Sequence, residues 1–193
     1  MDHNDHVALL RPGVPAADSA AIWADLGAGD GAFTLALAEL LGPGATIHTI
    51  DRDGAALARG AAEVARRFPG VTVRPQTADF TRPLTLPPLD GLVMANALHF
   101  VHDRDKAALV RRLVAWLRPG GRFLLVEYNV DRGNLWVPHP LSFATWAALA
   151  ARAGLRDVEL IGRRPSRFLR EIYAAVSLWF PRPTGEGTSE RDD

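Results

Sequence analysis

The sequence predicts an α/β fold, a three-layer α/β/α sandwich around one doubly wound, seven-stranded sheet whose last strand is antiparallel. Three observations carry this. Short apolar runs alternate with helix-period stretches from residue 21 to residue 179. A glycine-rich turn, within WADLGAGDGAF (23–33), joins the first apolar run to the first amphipathic one. Only residues 163–170 separate the last two strands. That is too short for a helical crossover, so the final strand is expected to run back against its neighbours.

The elements follow in order. Residues 1–20 are read as an arm ahead of a domain spanning 21–180. AIWADL (21–26) is the first, buried strand. Residues 31–41 form a helix with Phe33, Leu37, Leu40 and Leu41 on one face, stopped by Gly42-Pro43-Gly44. ATIHTID (45–51) is the second strand. The helix 54–68 carries Leu57, Ala61, Val64, Ala65 and Phe68 as its buried stripe, and Pro69-Gly70 ends it. VTVRPQTAD (71–79) is the third strand, and FTRPLTLPPLD (80–90) is a proline-rich loop. GLVMAN (91–96) is uniformly apolar, as a strand covered on both faces must be. Residues 103–117 form a helix with Leu109, Val110, Leu113, Val114 and Leu117 inward. RPGG (118–121) turns the chain into the fifth strand, RFLLVEY (122–128). A polar loop runs from Asn129 to Leu141, and Ser142 caps a helix over 143–153. LRDVELIG (155–162) and EIYAAVSLW (171–179) close the sheet. The tail, 181–193, is polar and rich in Pro and Gly, and is expected to be disordered.

Composition narrows the function. The 193 residues suit one domain. Lys+Arg and Asp+Glu both total 22, a balance that argues against a broad nucleic-acid footprint. With no Cys there is no disulfide, thiolate metal site or cysteine nucleophile. No tight His/carboxylate motif stands out, so no metal is expected. The N-terminal MDHNDHVALLRPGV lacks the apolar run of a secretory signal. No uncharged stretch approaches the roughly 18–20 residues of a membrane span. A cytoplasmic protein with no membrane partner is the expectation.

The glycine turn bears on the cofactor. Asp25-Leu26-Gly27-Ala28-Gly29-Asp30-Gly31 is spaced G-x-G-x-G, whereas dinucleotide turns are usually G-x-G-x-x-G. Ligands of doubly wound sheets sit outside the carboxyl ends of the strands. Asp25, Asp30, Asp51 and Asp79 all fall near that edge. Such a cluster repels a pyrophosphate and attracts the ammonium and sulfonium of S-adenosylmethionine. Asp51 also lies about 20 residues beyond the turn, the interval of a carboxylate that grips ribose hydroxyls.

Five segments in order carry a resemblance over about residues 20–179: ADLGAGDGAF, HTIDRD, TADF, LVMANALHFVHD and LRPGGRFLLVEY. The chain resembles the class I S-adenosylmethionine-dependent methyltransferases, which have a Rossmann-like sheet. The resemblance implies that Gly27, Ala28, Gly29 and Gly31, with Asp25, wrap the methionine and ribose of the cofactor. Asp51 would bind the ribose hydroxyls, with Arg52 beside it, where Arg52 and Asp53 also begin the next helix. Asp79 and Phe80 would meet the adenine. Asn96 and Ala97 would line the methionine and the reactive methyl, with His99 and Phe100 at the mouth.

The acceptor would enter from loops at the same edge. His99 is the first candidate for a general base and His139 the second, with a structural role open for each. Glu127 reads as a structural partner within its strand. Tyr128, Asn129 and Trp136 follow the fifth strand, and Arg163 and Arg167 come from the loop before the last; Trp136 is expected to plug its loop onto the core, the alternative being that it stacks a flat acceptor. The arginines either clamp an anionic acceptor or pair on the surface. The arm, with His3 and His6, leads into the first strand and is placed to fold over the pocket. Asn96-Ala97-Leu98-His99 departs from the Asn-Pro-Pro-Tyr pattern of nucleic-acid amino methyltransferases, and the absence of Cys speaks against arsenite methylation. The expected partner is therefore a small-molecule methyl acceptor. A homodimer is compatible with an open pocket that a second subunit completes. Two other readings stand beside this one: an NAD-dependent oxidoreductase on a related fold, and a non-catalytic S-adenosylmethionine-binding or scaffold protein.

Overall fold

A computed structural model describes residues 1–16 and 20–181. The expectation of a disordered tail falls, but for Pro181, outside the described residues. Seven strands form one sheet in the order β3-β2-β1-β4-β5-β7-β6. They are β1 (Ile22–Leu26), β2 (Thr46–Asp51), β3 (Thr72–Thr77), β4 (Leu89–Ala95), β5 (Leu117–Tyr128), β6 (Leu155–Pro165) and β7 (Glu171–Trp179). β1 to β5 pair in parallel, and β7 pairs antiparallel with both β5 and β6. β6 therefore points the same way as β1 to β5, and β7 alone is reversed, as its short connection requires.

Helices cover both faces. On one lie α1 (His3–Leu10), α2 (Ala32–Leu41) and α3 (Gly54–Arg67); their Leu10, Leu37 and Val64 pack in the core that also holds Trp23, Ile47 and Val93. On the other lie α4 (Asp103–Val114) and α5 (Phe143–Ala153), with Leu113 and Trp146 packed against Ala24, Leu92 and Phe123. The sheet is tightest where Trp23 crosses β4. A Cβ on Gly91 would lie 2.5 Å from the Trp23 ring, so only glycine lets the indole lie flat there. The edge strand β3 carries Pro75, tolerable because an edge strand has ladder groups to spare.

Four readings of the sequence need correction. The arm is helical over His3–Leu10, opened by a reciprocal cap between Asp2 and Asp5. Its histidines face α2, not the strand ends: His3 meets Glu39 at 2.8 Å, and the His6 ring packs at a tilt against Phe33 with centroids 4.6 Å apart. The arm is thus part of the core wall and does not fold over the pocket. The buried face of α3 is Ala56, Leu57, Gly60 and Val64, while Ala65 is exposed. Gly60 sets this phase, because its bare Cα packs against the glycine turn at Gly31. α4 stops at Val114, and Leu117 instead opens β5 opposite Leu89, before a bulge. β6 runs on to Pro165, leaving five residues for the turn into β7. Among the described residues no helix is long and apolar enough to cross a membrane.

Strand alternation decides where Asp25 points. Trp23 and Asp25 share the α2 face of β1, and Ala24 and Leu26 share the other. Asp25 is 1% exposed and accepts a 2.6 Å hydrogen bond from the Thr34 hydroxyl of α2. Burial raises its pKa from the ordinary 3.8 to about 6, against the opposing effect of Thr34. The folded protein therefore holds a proton that the unfolded chain has released between about pH 4 and pH 6. Stability from this group is greatest below that window and falls as pH rises through it. Asp25→Asn should flatten the wild-type decline across the window by on the order of 2–3 kcal/mol. Denaturant midpoints of the two proteins at several pH values would check this, and a difference independent of pH would refute it.

Candidate functional site

The strand ends at Leu26, Asp51 and Ala95 meet at the carboxyl edge of the sheet, where open α/β sheets bind ligands. The glycine turn folds back there on its own amides. Gly27 and Ala28 donate to the Ile50 carbonyl at 2.7 and 3.2 Å, and Gly31 donates to Ala28 at 2.9 Å. Gly29 donates to Asp51 Oδ2 at 2.9 Å. The turn needs left-handed backbone at Gly27 (φ +77), and a Cβ there would stand 2.6 Å from the Ala97 side chain. Four of the amides that could cradle a phosphate are thus already occupied.

Asp51 is held from two sides, since its Oδ1 accepts from the Asp53 amide at 2.9 Å. A chamber of about 160 Å³ lies against it, lined by Gly27, Asp51, Arg52, Phe80, Asn96, Ala97 and Phe100. Asn96 ends β4 in the left-handed region (φ 52), and its Oδ1 is buried without a hydrogen-bond partner. An unsatisfied buried acceptor on a chamber wall is a place where a ligand donor gains.

A second chamber of about 320 Å³ adjoins the first through Asn96 and Phe100. His99, Tyr128, Trp136, Val137 and Phe168 complete its lining. His99 is buried, and its Nδ1 lies 2.9 Å from Glu127 Oε2. Glu127 is fully buried. Its Oε1 accepts from the His99 amide at 3.0 Å and its Oε2 from the Tyr128 amide at 3.2 Å. A carboxylate only accepts, so Nδ1 carries the proton of the neutral ring and Nε2 is left as the basic nitrogen.

Several expected residues lie elsewhere. Asp25 faces α2, as described above. Asp30 turns outward to Arg59 at 2.6 Å. Asp79 accepts from the Thr81 hydroxyl at 2.6 Å, which holds its carboxyl below the usual value, and it lines neither chamber. The expected cluster of four carboxylates therefore reduces to Asp51 at the chamber wall. Ala28 and Gly29 shape the turn without lining a chamber. His139 is a strap: its amide donates to the His99 carbonyl at 3.0 Å, its carbonyl accepts from the buried Lys106, and its ring packs at a tilt against His102. Asn129 joins Glu171 to the start of α5. Arg163 faces Glu171 at 3.7 Å, and Arg167 is exposed and lines neither chamber.

Sequence reasoning missed Phe168 and Val137 as walls, and took Glu127 only as a structural partner. Phe168 sits in the turn between β6 and β7, an apolar residue in a polar loop, and that is its one signal in the sequence. Trp136 is aimed by Asn134, whose Oδ1 accepts from the amides of Trp136 and Val137, both at 2.9 Å.

Comparison with known proteins agrees with this geometry. The chain is 34% identical over 169 residues to acetylserotonin O-methyltransferase of Mus musculus, a match covering 78% of this chain and 43% of that protein. It spans less than half the length of that relative. The fold matches Burkholderia thailandensis 1,6-didemethyltoxoflavin-N1-methyltransferase with a TM-score of 0.70 at 21% identity, covering 93% of this chain and 78% of that one. It also matches human N-acetylserotonin methyltransferase with a TM-score of 0.62 at 21% identity, covering 92% and 52%. The family model described as "Methyltransferase domain" matches residues 24–123, over half of the sequence. The chain belongs to the methyltransferase domain family.

Proposed function

We propose that this protein is a cytoplasmic S-adenosylmethionine-dependent methyltransferase acting on a small-molecule acceptor. The observation that carries the reading is the pair of joined chambers, one built on the glycine turn and Asp51, the other on a histidine backed by a buried carboxylate. The family and the mouse relative support it. The exposed Leu135 and Trp136 at the open mouth leave room for a second subunit, so a homodimer is part of the reading.

The residues present fit the cofactor. Asp51 has lone pairs left for two ribose hydroxyls beyond the two amides it accepts from. Phe80 offers a ring face for adenine and Asn96 Oδ1 an acceptor for an ammonium. S-adenosylmethionine supplies an electrophilic methyl on a good leaving group. The chain then has to place the acceptor and hold its proton. His99 takes that proton at Nε2, and Glu127 keeps the ring in the required tautomer and faces the positive charge that results. The oxidoreductase reading is disfavoured because Gly27, Ala28, Gly29 and Gly31 offer no free amides to a pyrophosphate.

Two outcomes follow. Asp51→Ala should weaken S-adenosylmethionine binding at least about tenfold in calorimetric titration, through the loss of charge-assisted hydrogen bonds. Wild-type affinity in that variant would move the ribose elsewhere. His99→Ala should lower methyl transfer by about 100-fold or more while cofactor affinity is kept. Glu127→Gln should lower it less and displace the pH profile. Turnover unchanged in both would return the pair to a purely structural role.

A further inference from the structure

A cavity of about 650 Å³, larger than either chamber, lies at the opposite edge of the sheet, where β6 begins at Leu155 and β7 ends at Trp179. Arginines from three elements line it: Arg111 of α4, Arg152 of α5 and Arg156 of β6. All three are exposed, and among the described residues none of them is paired with a carboxylate. No Asp or Glu among the described residues lines the cavity, and the remaining walls are apolar. Trp179 lies across the end of α5, where Gly154 is left-handed (φ +94) and a Cβ would stand 3.2 Å from the indole. Phe180 follows it and is 37% exposed. One role for such arginines is to answer helix dipoles, since Arg111 and Arg152 sit in the last turns of α4 and α5. That role leaves positive charge over. Two helix ends amount to about one negative charge against three guanidinium groups, and Arg156 stands on a strand.

We infer that this cavity binds a nucleoside polyphosphate, with the phosphates among Arg111, Arg152 and Arg156 and the base against Trp179 and Phe180. Each part has a physical reason. A guanidinium donates in a fork that matches phosphate oxygens, and a polyphosphate packs several charges into a compact run that three converging arginines can share. A polyphosphate alone would leave its charge beside bare apolar walls, which is costly. A base joined to it covers those walls and gains by stacking on an aromatic side chain. The volume falls within the roughly 300–1,000 Å³ of small-ligand sites. A flat anionic bilayer fits a hollow poorly, and an acidic peptide spreads its charges along an extended chain. The cavity shares no lining residue with either chamber, so this site is separate from the one proposed for methyl transfer and does not depend on that reading.

The test uses the full chain with an excess of S-adenosylhomocysteine, to keep adenosine out of the first chamber, and three probes: ATP, inorganic tripolyphosphate and a hexaglutamate peptide. Calorimetric titration should show ATP binding about tenfold or more tighter than either of the others. Arg152→Gln and Arg156→Gln should each weaken ATP about tenfold, and Phe180→Ala about fivefold, with thermal midpoints near wild type. These variants report on this cavity alone, since none of the three residues lines a chamber. No binding of ATP, equal or tighter binding of tripolyphosphate or hexaglutamate, or unchanged ATP affinity in all three variants overturns the inference and leaves the methyltransferase reading standing.

Discussion

Glu127 has no contact with solvent, and the wall of the second chamber is arranged around that fact. A buried carboxylate is costly unless donors surround it. Here the donors are the amides of His99 and Tyr128 and the imidazole of His99. This arrangement is possible only because β4 and β5 pair in parallel and end side by side, so the residues just past one strand lie over the last residues of the other. The same pairing fixes the ring of His99. The strap at His139 fixes the backbone of His99, and Lys106, the one lysine in the chain, fixes the strap. Rigidity at His99 thus comes from Glu127, His139 and Lys106, which line neither chamber.

The cofactor end obeys a different constraint, close approach of backbones. Gly31 meets Gly60, and Gly27 meets Ala97, at separations that leave no room for a side chain. These approaches let the turn donate its amides to the end of β2, at Ile50 and Asp51. The amides of Gly27, Ala28, Gly29 and Gly31 are therefore spent within the protein, and the turn presents Asp51 and the space beside it. The carboxylates near that edge point to the same cofactor by a weaker route, since Asp25 is turned to Thr34 of α2 and Asp30 is paired with Arg59.

The layers, the parallel sheet and the reversed β7 could be read directly, because hydrophobic period and connection length are local properties of the chain. The glycine turn, Asp51, Asn96 and His99 were legible for the same reason: each sits at a strand end that the period marks. Less local features were misread. The N-terminal helix is hard to see in the sequence because its apolar residues Val7, Leu9 and Leu10 make a poor stripe until α2 and β6 supply a surface. The phase of α3 was wrong because Gly60, invisible to a hydrophobic count, decides which side lies against the turn.

By itself the sequence determined the order of elements, the edge of the sheet at which a ligand sits and the residue types available there. Only the tertiary structure decided which of those side chains face a ligand and which face one another. Asp25 lies one residue before the end of β1 and Asp51 ends β2, yet one is turned to Thr34 and the other to the chamber. Arg164 finds Asp5 across 159 residues, and His99 finds Glu127 across 28. Pairings of this kind depend on strand register and on the packing of distant elements, and no local pattern of residues contains them.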